Sequence, residues 1–218
     1  MWLLRLPGVY RPQADTWMLV DALRRTCPDP PERVLDIGTG TGVLAIAAAR
    51  LGARSVHAVD VAANAVWTAM LNAKMRGLSA VRVRRGELPH AVAGQRFDLI
   101  VSNPPYVPGN SVPARGRARA WDAGADGRAV LDELCAAAPD LLAADGVLLL
   151  VQSALSGVET TMRRLKEVRL SSSIVASEIV PFGPIMRQRA EAWEKQGLIA
   201  PGQRHEELVV LHARRTAK

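Results

Sequence analysis

Residues 33–42 read Arg-Val-Leu-Asp-Ile-Gly-Thr-Gly-Thr-Gly, a short apolar run followed by Gly38, Gly40 and Gly42. The run predicts a buried β-strand, and the helical pattern that begins at Val43 predicts a helix directly after the glycine turn. A strand, a glycine turn and a helix in this order are typical of the first βα unit of an open parallel sheet. This stretch therefore places the chain in the α/β class.

The same alternation continues on both sides of residues 33–42. An amphipathic helix is predicted for Thr16–Arg25, before the first strand. Repeated βαβ units cover both faces of a sheet with helices. Beyond the first strand, we predict strands at 55–59, 81–84, 97–101, 147–151, 174–180 and 208–212, and helices at 43–50, 63–76, 129–137 and 158–167.

The composition is that of one water-soluble domain. Of the 218 residues, 49% are hydrophobic and 22% are charged, which is enough to bury one substantial core. We expect a single domain over residues 1–218, with residues 1–32 as a helical lead-in. No apolar run approaches the roughly 18 residues of a membrane span, and the amino end lacks a signal-peptide pattern. The sequence therefore predicts a cytoplasmic protein with no membrane partner.

Charge and cysteine usage argue against two further classes of protein. The net charge is +7, from 28 basic and 21 acidic residues. The basic groups at 82–85, 115–119 and 163–166 are dispersed and carry no interleaved aromatic side chains for base stacking, so we rank nucleic acid behind other substrates. Cys27 and Cys135 stand apart from each other and from histidine, so neither a disulfide framework nor a metal site is expected.

The glycine turn and two acidic positions predict a cofactor site. The glycines lack the Gly-x-Gly-x-x-Gly spacing of dinucleotide binders, which favours S-adenosyl-L-methionine, with S-adenosyl-L-homocysteine as its product, over NAD. Asp60, followed by Val61, ends the second predicted strand, where a carboxylate holds the ribose hydroxyls. Glu87 follows the third strand, where it would accept from an adenine amino group beside Leu88. The alternatives are an ordinary turn, a helix N-cap at Asp60 and a solvated glutamate.

The motif Asn103-Pro104-Pro105-Tyr106 follows the fourth predicted strand, at the edge where open α/β sheets bind ligands. An amide or exocyclic amine nitrogen is a poor nucleophile because its lone pair is delocalised, and acceptors on both N–H bonds turn that lone pair toward the methyl group. We assign these acceptors to the Asn103 side-chain oxygen and the Pro104 carbonyl, which the prolines hold still. Tyr106 would cover the flat face of the acceptor group. Such catalysis rests on positioning and electrostatics, without a histidine base or a metal.

These residues resemble the HemK-like glutamine methyltransferases over most of the chain, in particular the short branch that lacks the helical amino-terminal domain of the bacterial enzymes. Residues 10–16, Tyr-Arg-Pro-Gln-Ala-Asp-Thr, resemble that branch's Tyr-Glu-Pro-Ala-Glu-Asp-Thr. Residues 121–128, Trp-Asp-Ala-Gly-Ala-Asp-Gly-Arg, resemble its Trp-x-Gly-Gly-x-Asn/Asp-Gly-Arg, which places Trp121 beside the acceptor. The resemblance implies the class I methyltransferase fold, a Rossmann-like, seven-stranded, mostly parallel sheet with an antiparallel last strand and helices on both faces.

The resemblance also implies roles for single residues and for partners. Thr16 takes the cofactor role of the family's threonine, Asp36 takes the place of its acidic residue before the first glycine, and Asp60 that of its ribose carboxylate. Glu87 and Leu88 take its adenine contacts. The implied acceptor is the glutamine in the Gly-Gly-Gln loop of a peptide chain release factor, and the implied partner is a small zinc-binding activator subunit.

Four functions stay open at this stage. Glutamine N5-methylation of a protein leads, and adenine-N6 methylation of DNA or RNA follows because an adenine amino group offers similar hydrogen-bond geometry. N-methylation of a small metabolite would need a narrow closed pocket beneath residues 183–206. A methyltransferase-like scaffold without activity is the non-enzymatic alternative, and Asp60 and Asn103 argue against it.

The chain departs from the family pattern at three positions and in one segment. Arg11 and Ala14 replace acidic residues, and Ala123 replaces a glycine. Residues 183–206 form an insertion-like segment before the last strand, and we hypothesise that it is a lid or a partner surface near the acceptor entrance. An alternative of equal weight is a peripheral helix that only packs against the core. The helical spacing in this segment is carried by Ile185, Arg189, Trp193 and Gln196.

Overall fold

The computed structural model describes residues 1–27, 29–87, 90–109, 113 and 116–216, with Arg117 described by its backbone alone. Within these residues the chain forms seven strands and six α-helices. The strands are β1 (Arg33–Ile37), β2 (Ser55–Asp60), β3 (Val81–Arg85), β4 (Phe97–Ser102), β5 (Leu142–Ser153), β6 (Leu170–Pro181) and β7 (His205–Arg215). The helices are α1 (Ala14–Thr26), α2 (Val43–Arg50), α3 (Ala63–Lys74), α4 (Ala129–Leu141), α5 (Val158–Glu167) and α6 (Pro184–Lys195).

The strands form one sheet in the order β3-β2-β1-β4-β5-β7-β6. Strands β1 to β5 run parallel, whereas β7 is antiparallel to both of its neighbours, β5 and β6. The described residues thus confirm the expected α/β class and the antiparallel last strand. The order of the parallel strands reverses between β1 and β4, and such a switch point is where open sheets of this kind bind ligands.

Register at the switch point aligns the predicted site. Ile37 pairs with Val59 on β2 and with Ser102 on β4. The glycine turn, Asp60 and Asn103 each begin one residue after these paired positions, so backbone pairing alone brings them to the same edge of the sheet. The fully buried β1 and β4 residues hold this edge in place, because they are covered on both faces.

Strands β5 and β6 begin earlier than the apolar pattern predicts. β5 starts at Leu142 and not at Val147, and its first residues pair with β4 across an irregularity between Phe97 and Leu99. β6 starts at Leu170 and not at Ile174, because its polar beginning pairs with β7 through the backbone. Side-chain alternation cannot reveal such extensions, since ladder hydrogen bonds are made by any residue.

Helix α1 fixes the amino-terminal lead-in to the sheet. It packs beside β5, β6 and β7 and against α2, and its buried side chains include Asp15 and Thr16 in its first turn. This packing points the amino end of α1 at the carboxyl end of β4. Among the described residues, no helix combines the length and the apolar character that crossing a membrane requires.

Candidate active site

A cavity of about 840 Å³ opens at the switch point. Its volume is in the range of small-molecule sites, roughly 300 to 1,000 Å³. The cavity is bordered on one side by residues 38–41 and 60–62 and on the other by residues 103–107 and 121–122. The predicted cofactor turn and the predicted acceptor motif therefore face one common space.

Asp60 joins the glycine turn to the start of α3. Its carboxylate accepts a hydrogen bond from the Gly40 amide at 3.0 Å and another from the Ala62 amide at 2.9 Å. Burial raises its pKa, and these two amide bonds oppose the shift. Because a carboxylate has about four acceptor positions, both oxygens keep capacity for ribose hydroxyls while they order the turn. The N-cap residue of α3 is Ala62. The N-cap alternative for Asp60 is therefore wrong, and its ribose role stays a prediction.

Two of the predicted cofactor residues stand behind the cavity wall. Asp36 is fully buried and accepts from the Thr39 hydroxyl at 2.6 Å and from the Ala45 amide at 3.0 Å, so it braces the turn from below. Gly42 has φ +80°, and a Cβ there would lie 3.0 Å from Ala69 on α3. Its role in this structure is the close approach of α2 and α3.

Glu87 and Val61 lie on the cavity rim. Glu87 is exposed and its carboxylate lies 3.4 Å from the Arg119 guanidinium. Val61 is half-buried and its carbonyl accepts from Arg85 at 3.1 Å. Leu88 lies outside the described residues. The adenine contacts therefore stay predictions from the sequence.

The side-chain amide of Asn103 is oriented by helix α1. Its Nδ2 group donates to Asp15 Oδ2 at 2.9 Å and to Thr16 Oγ1 at 3.0 Å. With both donor hydrogens engaged, Oδ1 faces away from these partners as an acceptor. Within the described part of the chain, neither this oxygen nor the Pro104 carbonyl accepts a hydrogen bond. Asn103 and Pro104 thus offer two acceptors at the cavity wall.

Asp15 is the centre of this arrangement and was not among the site residues predicted from the sequence. It is 3% exposed, and its Oδ2 also accepts from the Tyr10 hydroxyl at 2.9 Å and from the Tyr106 hydroxyl at 3.1 Å. Burial, with the nearby charge of Asp15, raises the pKa of both tyrosines, so both remain donors. The only sequence signal was the position of Asp15 beside Thr16 in the family-like segment.

The other predicted acceptor residues lie on the same wall. Pro104 is buried, Pro105 is half-buried, and Trp121 lines the cavity beside them, where its carbonyl accepts from the Val107 amide at 2.8 Å. The Tyr106 ring lines the cavity while its hydroxyl is held by Asp15. Thr16 also lines the cavity, but its hydroxyl donates to Asp15 at 3.1 Å. In this structure Thr16 links the predicted cofactor and acceptor regions.

A buried carboxyl on β7 lies behind the tyrosines. Glu206 is 7% exposed, and its Oε2 atom has no hydrogen-bond partner among the described residues. Burial raises its pKa from 4.5 to about 7, the charge of Asp15 adds to the shift, and Ser153 opposes it. The protonated form of Glu206 is therefore favoured in the folded protein.

Glu206→Gln is expected to flatten the dependence of stability on pH. Because the folded pKa lies above the unfolded one, the stability contributed by Glu206 is fully present below pH 4.5 and is lost as the pH rises toward and through about 7. Glutamine cannot ionise, so the variant gains up to about 3 kcal/mol over wild type between pH 4.5 and pH 8. Urea unfolding at both pH values measures this; parallel profiles would contradict it.

A second, more open cavity of about 460 Å³ lies at the opposite edge of the sheet. It is lined by the amino ends of the first strands, including Arg33, Ser55 and Arg82. None of the residues predicted for cofactor or acceptor binding borders it. The cavity at the switch point, and not this second one, is therefore the candidate site.

Comparison with known families supports the same chemistry. Residues 1–176 match the model of the methyltransferase small domain. A Methanocaldococcus jannaschii protein named for protein N5-glutamine methyltransferase activity is 35% identical over 182 residues, which cover 83% of this chain and 90% of that protein. The release factor glutamine methyltransferase of Rhodospirillum rubrum is 42% identical over 147 residues, 63% of this chain and 45% of that enzyme. The chain thus spans less than half of the latter's length.

Solved structures share the fold. The Mtq2–Trm112 complex of E. cuniculi, which is described as responsible for methylation of the translation termination factor eRF1, aligns with a TM-score of 0.68 and 22% identity. The alignment covers 96% of this chain and 99% of that one. A Lactobacillus delbrueckii ribosomal protein L11 methylase aligns with a TM-score of 0.62 over 97% of this chain and 83% of that one, at 23% identity. At these identities the likeness concerns the fold.

Proposed function

We propose that this chain, which belongs to the methyltransferase small domain family, transfers a methyl group from S-adenosyl-L-methionine to the side-chain nitrogen of a protein glutamine. The observation that carries the proposal is the Asn103 amide, whose two donors are taken by Asp15 and Thr16. That arrangement leaves an oxygen beside the Pro104 carbonyl. Such a pair of acceptors suits a nitrogen with two N–H bonds, and relatives named as glutamine methyltransferases favour a primary amide over an adenine amino group.

The cavity fits the cofactor at its opposite wall. Among the residues that the structure describes, a Cβ at Gly38 would meet no atom within 4 Å, so the turn presents bare backbone to the cavity. Asp60 adds acceptors suited to a ribose diol, on the same wall. S-adenosyl-L-methionine, when bound, supplies an electrophilic methyl group on a sulfonium.

The protein's own contribution is positioning. Asn103 and Pro104 accept from the two N–H bonds of the glutamine amide, which turns its lone pair out of conjugation and toward the cofactor wall. Tyr106 and Trp121 flank the space and limit how the flat amide lies. Acceptors that are held before the reaction need no reorganisation as positive charge develops on the nitrogen, which lowers the barrier. The nitrogen–carbon bond would form as the carbon–sulfur bond breaks, and one of the two N–H protons would then leave the nitrogen and pass to water.

The proposed acceptor is the Gly-Gly-Gln loop of a release factor, and the proposed partner is a small activator subunit. Support comes from relatives named as glutamine methyltransferases and from the Mtq2–Trm112 complex. Residues 103–107 and 121–122, which carry the proposed acceptor contacts, line the cavity. We place the site of action in the cytoplasm, where release factors work.

The experiment is transfer of radiolabelled methyl from S-adenosyl-L-methionine to purified release factors, with and without the activator. The intact Gly-Gly-Gln loop is compared with its Gln→Ala variant, and the Asn103→Ala enzyme is the matched inactive control. Labelling that requires both the glutamine and Asn103 is expected. Labelling of adenine in nucleic acid, or of a small metabolite in place of the protein, would contradict the proposal.

Asp60→Ala is expected to weaken cofactor binding. Loss of charge-assisted hydrogen bonds costs about 1.5 to 3 kcal/mol, which is about a 10- to 150-fold rise in Kd. Calorimetry with S-adenosyl-L-methionine measures it. Asp98→Ala is the matched control, because Asp98 also accepts from a backbone amide, that of Arg33 at 2.8 Å, but at the other end of the sheet. Equal affinities of the two variants would remove Asp60 from the site.

A further inference from the structure

Helix α6 is tied to the acceptor wall by one side chain. Arg189 Nη1 donates to the Pro108 carbonyl at 2.8 Å and to Asp122 Oδ1 at 2.5 Å, and its Nη2 donates to Asp122 Oδ2 at 3.0 Å. The guanidinium therefore donates two parallel hydrogen bonds to the Asp122 carboxylate and a third to the Pro108 backbone carbonyl. Such a forked contact fixes direction as well as distance.

The two loop segments that Arg189 grips form the wall itself. The Val107 amide donates to the Trp121 carbonyl at 2.8 Å, and the Ala123 amide donates to the Val107 carbonyl at 3.1 Å. Val107, Trp121 and Asp122 all line the cavity. These segments follow the Asn103 motif and precede α4, so Arg189 joins two loop segments that carry cavity-lining residues next to that motif.

The contact is built closely and stands in a poorly solvated place. The Asp122 side chain is 10% exposed and that of Arg189 is 28% exposed. A Cβ at Gly109 would lie 3.0 Å from the Asp122 carboxyl and 3.2 Å from Arg189 Nη1, so a larger residue there would displace this ion pair by a few tenths of an ångström. A carboxylate in such a place is costly when its partner is removed.

Helix α6 offers a firm base for this arginine. Trp193 is buried and meets Phe182 edge-to-face, with ring centroids 6.5 Å apart. Met186 and Ala190 are buried on the same side of the helix. One face of α6 thus packs against the protein core, as the alternative of a packing helix for residues 183–206 predicts. Arg189 extends from this helix to the acceptor wall. The family model match ends at residue 176, before this helix begins.

We propose that Arg189 is a positioning residue for the methyl acceptor, which it serves by holding Asp122 and Pro108 so that the entrance fits an incoming peptide loop. This inference rests on the proposed function. Arg189 touches neither cofactor nor reacting nitrogen, so its effect falls on acceptor recognition. The segment that departs from the family pattern thereby shapes specificity in this chain.

The test is Arg189→Met, with Lys195→Met as the control that removes a positive charge from an exposed position of the same helix. The expected result for Arg189→Met is an acceptor KM raised about 10-fold, with the Kd for S-adenosyl-L-methionine changed less than about twofold, because only the acceptor wall is misplaced. Arg189→Lys, which keeps the charge but not the fork, is expected to restore part of the KM. Lys195→Met is expected to match wild type.

Asp122→Asn and the double variant Arg189→Met/Asp122→Asn test the coupling. The double variant is expected to be no worse than Arg189→Met alone, since both remove one shared contact. Additive effects, an unchanged acceptor KM, or an equal loss of cofactor affinity would overturn the inference.

A second readout separates this inference from the proposed function. Amide hydrogen exchange in residues 106–109 and 121–124, measured with the cofactor analogue S-adenosyl-L-homocysteine bound, is expected to quicken in Arg189→Met and to stay unchanged in Lys195→Met. If wild type fails to label release factors, the proposed function alone is contradicted. If Arg189→Met leaves the exchange rates in these segments unchanged, the positioning role of Arg189 is refuted.

Discussion

Asn103→Ala is expected to lower kcat by about 10²- to 10³-fold and to change the Kd for S-adenosyl-L-methionine less than about threefold. The Asn103 oxygen is held at the cavity wall by two donor contacts to α1, and its bond to the acceptor nitrogen strengthens as positive charge develops there. An interaction that is stronger in the transition state than in the ground state raises kcat more than it lowers KM.

Single-turnover methyl transfer with saturating cofactor measures this change, and calorimetry measures the affinity. Asp60→Ala is the reciprocal comparison, because it is expected to raise the cofactor Kd while Asn103→Ala is expected to lower turnover. Near-normal kcat in Asn103→Ala would remove the residue from the reaction. A parallel loss of cofactor affinity would reassign it to the cofactor wall.

Asp15→Asn is expected to lower kcat by about 100-fold and to destabilise the fold by about 2 to 4 kcal/mol. The carboxylate accepts from Tyr10, Tyr106 and the Asn103 amide at 2.9 to 3.1 Å. These three groups donate to Oδ2, and the Thr16 amide and hydroxyl donate to Oδ1. An asparagine turns its NH₂ group toward one of these two sets, which leaves buried donors unpaired and disturbs the contacts that hold the Asn103 amide. Stability and turnover should therefore fall together.

Thermal unfolding and kcat, measured on the same preparations, check this prediction. Asp21→Asn is the matched control on α1, because Asp21 is exposed and pairs only at the surface with Arg24 at 3.0 Å. Tyr10→Phe removes one donor and keeps the carboxylate on Asn103, so a smaller loss of turnover is expected. Wild-type turnover in a folded Asp15→Asn enzyme would refute the orienting role.

Local patterns predict most of the secondary structure. Residues 33–37, 43–50 and 158–167 form the elements predicted for them, residue for residue. Runs of this kind are both locally patterned and buried, so pattern and packing agree. The early starts of β5 and β6 were missed because those residues gain their strand geometry from pairing with β4 and β7, and their own side chains do not indicate it.

The candidate site, too, was predicted from the sequence only in part. The glycine turn, Asp60 and Asn103 each follow directly after a strand, and parallel pairing at Ile37 makes their meeting a consequence of local sequence. Asp36 and Gly42 belong to the predicted turn, but only packing shows that they face Ala45 and Ala69 rather than the cavity. Sequence spacing indicates where a turn lies and not which way each residue in it points.

What the sequence by itself determined is the α/β fold, the edge of the sheet at which the candidate site lies, and the residues that follow each strand there. Only the tertiary structure decided the contacts made across long separations: Asp15 with Asn103, 88 residues apart, and Arg189 with Asp122, 67 residues apart. Local preference is encoded within a few residues of chain. The direction of a buried polar side chain, by contrast, is decided by the distant donor or acceptor that the folded core places beside it. The free energy lost by leaving a buried polar group unpaired is larger than the free energy of local conformational preferences.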